Sequence, residues 1–218
     1  MALVKYNNNS ISDITAAAGI ASGGLNLITT NTISSGVSSS SFTSSIDSTY
    51  DTYLFKIINI HPASDDVMFQ FNVSDDASSH SYDISKTTIL FKSYHSEGDA
   101  SGGPGYDNSY DHGNGTGFQG LNGDGIGIDA DQCTSGFMYF FDLANSTFVK
   151  HFTSKFNGMT SDDYLQATYV GGYFNTTSPI TAIQFKYSAG NIDDGDIYLY
   201  GLKIWVELYH KMQQTLLD

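Results

Sequence analysis

The chain has 218 residues, 40 % of them hydrophobic and 14 % aromatic, which is enough for a proper core and too apolar for a disordered protein. Nine basic against 23 acidic residues give a net charge of −14, so the surface repels phosphate backbones and nucleic acid is set aside as a partner. One cysteine, Cys133, rules out an internal disulfide, and no stretch approaches the ~20 apolar residues of a membrane helix, so no membrane insertion is expected.

Residues 1–24 are polar and rich in Ser and Asn, with one Ala run at Ala16–Ala18. They are expected to form an N-terminal arm, either packed on a neighbouring subunit or free. The opening Met1–Lys5 has no apolar run of signal-peptide length, so the product is expected to be made soluble.

From residue 25 the hydrophobic pattern has period two, which predicts strands. Leu25–Ile33 and Ser40–Ile46 come first, on either side of a Ser-rich turn. Tyr53–Ile60 is the most apolar and is expected to be central and covered on both faces, with Pro62 ending it. Val67–Val73 sends Val67, Phe69, Phe71 and Val73 one way and Gln70 and Asn72 the other. Thr87–Ser93 follows. From His95 to Gln132 the chain is crowded with Gly, Asp, Asn and Ser, and only Phe118–Leu121 reads as a strand. So long an irregular excursion is usually functional.

Strands then resume at Gly136–Leu143, Thr147–Phe156, Tyr164–Tyr173 and Thr181–Tyr187. Phe148, Phe152 and Phe156 are expected on one face. Asp193-Asp194-Gly195 is a turn signal leading into a last strand, Asp196–Val206. Residues 207–218 place Leu208, Met212, Leu216 and Leu217 at roughly helical spacing, as a short helix or arm. The predicted fold is all-β: one antiparallel two-sheet sandwich, jelly-roll-like, over residues 25–206. Its core is expected to include Phe55, Ile57, Phe69, Phe71, Phe152, Phe185 and Leu199.

The excursion supplies the candidate site. Tyr94, Tyr106 and Tyr110 beside Asp107 and Asp111 offer flat apolar faces, hydroxyls and carboxylates, the chemistry of sugar recognition and of protein interfaces. Phe118 is better placed in the core. Asp124, Asp129 and Asp131 lie in a Gly-rich loop that could supply oxygens to calcium. No Glu closes that loop and the EF-hand spacing is not met, so solvated acids are the preferred reading. His95, His112, Asp107 and Asp111 match no zinc framework. Glu97 and the loop aspartates have no spacing that marks a glycosidase pair. Cys133 reads as a structural residue.

Several segments carry a resemblance. Met1-Ala2-Leu3-Val4-Lys5-Tyr6-Asn7-Asn8-Asn9-Ser10, Phe42-Thr43-Ser44-Ser45-Ile46-Asp47-Ser48-Thr49-Tyr50, Tyr53-Leu54-Phe55-Lys56-Ile57-Ile58-Asn59-Ile60-His61-Pro62-Ala63, Phe148-Val149-Lys150-His151-Phe152, Ile183-Gln184-Phe185-Lys186 and Asp196-Ile197-Tyr198-Leu199-Tyr200-Gly201-Leu202-Lys203 resemble small virion proteins of tailed phages from aquatic bacteria. The excursion is less alike, and the tail from Ile204 departs from the pattern. The resemblance implies a structural, non-enzymatic virion role on the particle surface, with the protein made in the host cytoplasm, and offers no catalytic residue. The leading expectation is a tail-fibre or appendage subunit in host attachment. It would be a homo-oligomer, a trimer by analogy, contacting other virion proteins and a host-surface glycan. A capsid decoration protein and a calcium-dependent jelly-roll lectin are the alternatives.

Overall fold

The computed structural model describes residues 24–106 and 108–202, so the N-terminal arm other than Gly24, the C-terminal tail and Asp107 lie outside the described residues. The strands, in chain order, are β1 (Asn26–Ile33), β2 (Ser40–Phe42), β3 (Thr52–Pro62), β4 (Phe69–Ser74), β5 (Lys86–Ser96), β6 (Gly102–Tyr106), β7 (Gln119–Gly120), β8 (Thr134–Phe141), β9 (Lys150–Met159), β10 (Tyr164–Phe174), β11 (Ala182–Tyr187) and β12 (Ile192–Leu202). Among the described residues the helical content is one 3-10 turn, Asn108–Tyr110, and no helix is long and apolar enough to cross a membrane.

The strands form two antiparallel sheets. The larger has eight strands in the order β1-β12-β3-β8-β9-β10-β5-β6, and the smaller has four in the order β2-β11-β4-β7. This is the all-β, jelly-roll-like sandwich that the period-two pattern predicts. Phe55, Phe140, Phe152 and Phe174 face inward from the larger sheet, and Phe42, Phe69, Phe71 and Phe185 from the smaller. Phe55 meets Phe185 at 5.1 Å between ring centroids, Phe71 meets Phe152 at 5.0 Å, and Phe69 stacks on Phe185 at 5.7 Å. Such pairs add about 0.5–1.5 kcal/mol each beyond the area they bury. Ile57 and Leu199 complete the same core.

The alternation is broken where the backbone bulges. In β3, Asn59 takes φ 49°, and the pairing with β8 slips between Ile57 and Ile60. The slip turns Ile60 to the inner side with Phe55 and Ile57, and all three are buried. The expectation that β3 is covered on both faces is corrected: Lys56 is exposed and Ile58 half-buried on the outer side. Asp193-Asp194-Gly195 is likewise no turn. It lies inside β12 as an irregularity opposite the Asn59 bulge, with register shifts on either side of Asp194.

Three further expectations change. Gly102–Tyr106 is an edge strand beside β5, not irregular chain, because Pro is tolerated where no ladder partner needs its N–H. Phe148 lies before β9 and is 69 % exposed; the Asn145 side chain accepts from the Thr147 and Phe148 N–H groups and holds that turn out of the sheet. Phe118 is half-buried beneath Lys186, whose Nζ lies 4.2 Å from its ring centroid, and is not part of the core cluster.

Buried lysines fasten loops to strand ends. Lys86 Nζ donates to Ile84 O at 3.1 Å and Gly117 O at 2.6 Å. Lys150 Nζ donates to Ser178 O at 2.7 Å and Thr176 O at 3.3 Å. Burial pulls the Lys86 amine down to about 8 and lowers that of Lys150 as well. Asn72 is also buried, under the same loops: its amide donates to Tyr82 O at 2.6 Å and Thr116 O at 2.9 Å.

Candidate functional site

The inner faces of β5 and β10 change character along their length. Their register pairs Leu90 with Val170, Lys92 with Thr168, Tyr94 with Gln166 and Ser96 with Tyr164. Leu90 and Val170 belong to the apolar core, while the following pairs on the same face are polar or aromatic. A polar residue in a column that faces the core needs a partner. The chain near Gly123 supplies one. Gly123 N–H donates to Thr168 Oγ1 at 3.2 Å, and its carbonyl accepts from Lys92 Nζ at 3.0 Å. A side chain at Gly123 would collide with the Lys92 stem and press on Gln166 Oε1, so only a glycine approaches this closely.

Beyond these pairs the sandwich opens into a cleft of about 600 Å³, lined by Asp66, Lys92, Tyr94, Tyr110, Asp124, Gly125, Thr160, Ser161, Asp162, Tyr164 and Gln166. Isolated bridges Val67–Ile126 and Ile126–Thr160 hold its wall segments together. Tyr164 N–H donates to Thr160 Oγ1 at 3.1 Å, which fixes the turn carrying Ser161 and Asp162. Tyr94 and Tyr164 meet edge to face at 5.9 Å and 67°, so they form an angled aromatic wall.

On the floor, the Asp124 carboxylate accepts from Lys92 Nζ at 2.5 Å and also from the Gln166 amide. The pair is partly buried, with side-chain exposures of 12 % for Lys92 and 45 % for Asp124, so it is more than a screened surface contact. Gln166 is 3 % exposed, and its Oε1 has no hydrogen-bond partner among the described residues. Among the described residues the Asp162 carboxylate and the hydroxyls of Tyr94 and Tyr164 also accept or donate no hydrogen bond, and Asp66 has only a 3.5 Å contact with Ser161 Oγ.

Of the residues expected from sequence, the structure brings Tyr94, Tyr110 and Asp124 together in this cleft. It does not bring Tyr106 or Asp111. Tyr106 is 63 % exposed on the edge strand β6 and donates its hydroxyl to Asp111, a contact that raises the phenol's pKa. Asp111 also accepts from Leu90 N–H at 2.7 Å, and so ties the 3-10 turn to β5. The proposed calcium set does not gather. Asp124 is held by Lys92 in the cleft, whereas Asp129 belongs to a loop closed by its own N–H on Gln132 Oε1 at 3.1 Å. Among the described residues no three His, Cys, Asp or Glu side chains stand close enough to hold a metal. His95 lies 3.2 Å from Asp99, and His112 lies 3.2 Å from Phe118 O, so each has a separate neighbour. Glu97 does not line the cleft.

Sequence reasoning missed Lys92, Tyr164, Gln166, Asp66 and Asp162. Two of them carried a signal, since Lys92 and Gln166 interrupt columns that Leu90 and Val170 mark as core-facing.

The outer face of the larger sheet is distinct. Cross-strand register sets Tyr198, Lys56, Phe137, Lys155, Tyr169, Phe91 and Tyr106 in one row from β12 to β6. Phe91 stacks on Tyr169 at 4.9 Å, and Lys155 Nζ lies 5.5 Å from the Tyr169 ring centroid. A shallow groove of about 380 Å³ runs past Leu54, Ile58, Phe137 and Tyr139.

No family model matches the chain, and no curated protein or solved structure matches it.

Proposed function

We propose that this protein is a non-enzymatic structural component of a tailed-phage virion, exposed on the particle, and that the cleft is its binding end. In this reading it is a tail-fibre or appendage subunit that meets the host surface. The observation that carries the reading is the cleft itself: an antiparallel scaffold presents aromatic and hydrogen-bonding groups of which the Tyr94 and Tyr164 hydroxyls, the Asp162 carboxylate and Gln166 Oε1 have no partner among the described residues. The segments that resemble phage virion proteins support the same reading. Assembly as a homo-oligomer belongs to it, and so do contacts with other virion proteins.

Immunogold electron microscopy of intact particles, with antibody raised against this protein, tests it. Label on the tail or its fibres is the expected result. Label spread over the head would replace attachment with capsid decoration. No label on any particle would overturn the virion reading and leave a free lectin as the better description.

A further inference from the structure

We infer that the cleft between the ends of β5 and β10 is a site for a neutral sugar, the terminal pyranose of a glycan. The inference rests on the reading of the cleft as a binding end and names its ligand class.

The argument starts from what the lining demands. Tyr94, Tyr110 and Tyr164 supply apolar ring faces, each ending in a hydroxyl. A pyranose has the complementary build: one face of C–H groups, and a rim of hydroxyls that each donate and accept. Around the tyrosines stand groups of both kinds. Asp66 and Asp162 are acceptors, and the hydroxyls of Tyr94 and Tyr164 do both. Charge-assisted bonds from sugar hydroxyls to carboxylates are among the stronger polar contacts available to a neutral ligand. A wholly apolar ligand would leave these groups desolvated and unpaired, at a penalty.

Charge then narrows the class. Three carboxylates, Asp66, Asp124 and Asp162, face one amine, Lys92, and that amine is already held by Asp124 and the Gly123 carbonyl. Among the described residues no free cation remains in the lining for a carboxylate, sulfate or phosphate, and an anionic ligand meets like charge. This disfavours uronic and sialic acids and phosphorylated ligands, and favours neutral hexoses and N-acetylhexosamines.

The floor adds a second observation. Gln166 lines the cleft beside Tyr94, is buried, and is held through its amide by Asp124, while its Oε1 has no partner among the described residues. An unpaired, buried carbonyl oxygen on a side chain that lines the cleft favours a ligand that brings a donor to this floor. A ligand without that donor leaves it unpaired, which is how polar sites discriminate. A volume of about 600 Å³ falls within the range of small-ligand sites, so one to a few sugar units enter and the rest of a glycan lies outside.

The test is saturation-transfer NMR and calorimetry on the purified protein with lactose, cellobiose and N,N′-diacetylchitobiose, and with sialyllactose and glucose 6-phosphate as anionic controls. Binding of at least one neutral sugar is expected, weakened about tenfold or more by Tyr94→Ala and by Asp162→Asn, with circular dichroism unchanged. Tyr106→Ala, outside the cleft, is expected to leave it intact. Absence of binding by every neutral sugar, preference for the anionic controls, or binding indifferent to Tyr94→Ala and Asp162→Asn would overturn the inference. The two readings fail separately. Labelled particles with no cleft-dependent sugar binding would sink the sugar site alone. Cleft-dependent binding with no labelled particle would sink the virion role alone.

Discussion

Gly195 and Asn59 face each other across a doubly irregular stretch of the larger sheet. Gly195 takes φ 124° and Asn59 φ 49°, and a methyl group on Gly195 would come within 2.6 Å of the Asn59 carbonyl oxygen. The Asn59 N–H leaves the ladder and donates to Ser135 Oγ at 2.8 Å. The two departures from regular geometry fit together, and between them they set which residues of β3 and β12 face the core.

Gly195→Ala is therefore expected to destabilise the protein by about 1–3 kcal/mol, since alanine both strains at this φ and meets backbone that cannot move aside. A urea unfolding midpoint equal to that of the parent would show that the bulge adapts and that the geometry is not required.

Phe55 and Phe148 make a matched pair for testing the core. Phe55 is fully buried, with Phe42 at 4.9 Å, Phe185 at 5.1 Å and Phe140 at 5.6 Å, whereas Phe148 is 69 % exposed. Phe55→Ala is expected to cost about 3–5 kcal/mol through the cavity it leaves. Phe148→Ala is expected to stay within about 0.5 kcal/mol of the parent. Similar unfolding midpoints for the two variants would contradict this placement of the sheets.

Stability should depend on alkaline pH in two opposing ways. The Lys86 amine titrates at about 8 in the fold against 10.5 in the unfolded chain, because burial disfavours its charge. Between those values the unfolded state binds the extra proton, so stability rises with pH across that window and the gain is lost again as pH falls through 8. Tyr53 is pushed up to about 12 from 10.0, mainly by burial. Between these values the folded state holds the extra proton, so stability falls as pH rises from 10 towards 12. Lys86→Met should flatten the rise and Tyr53→Phe the fall, read from chemical unfolding at stepped pH. Lys150, lowered in the same direction, adds to the rise, so a parent profile flat from pH 8 to pH 10, or a rise undiminished in Lys86→Met, would show that the Lys86 amine titrates normally.

Lys92→Met keeps the stem and removes the amine that fastens Gly123 O and Asp124. Amide exchange at Gly123 and its neighbours should speed up while the exchange of core strands such as β9 stays unchanged. Equal protection in parent and variant would mean that Thr168 Oγ1 and the Gln166 amide hold the segment without the amine.

Much of the fold was legible because large side chains alternate cleanly. Phe69, Phe71 and Val73 against Gln70 specify a strand whatever lies beside it. Gly102–Tyr106 was not legible, since Gly-Gly-Pro-Gly has no pattern of its own and becomes a strand only through pairing with β5. The site was half legible. Tyr94, Tyr110 and Asp124 stood out by residue type within the loop-rich segment. Tyr164 and Gln166 come from a strand far along the chain, and only the β5–β10 register reveals that they face Tyr94. Asp124 and Asp129 sit close in sequence, yet Lys92 draws the first into the cleft while Gln132 closes the loop around the second.

The change of character along β5 and β10 has an evolutionary consequence. One half of each strand serves stability through Leu90 and Val170, and the other half lines the cleft through Tyr94, Gln166 and Tyr164. If the cleft binds the proposed ligand, replacements at its residues exchange ligand contacts without opening a hole among the phenylalanines. Because natural proteins sit only a little above the stability they need, such a division lets specificity drift quickly while the scaffold stays put.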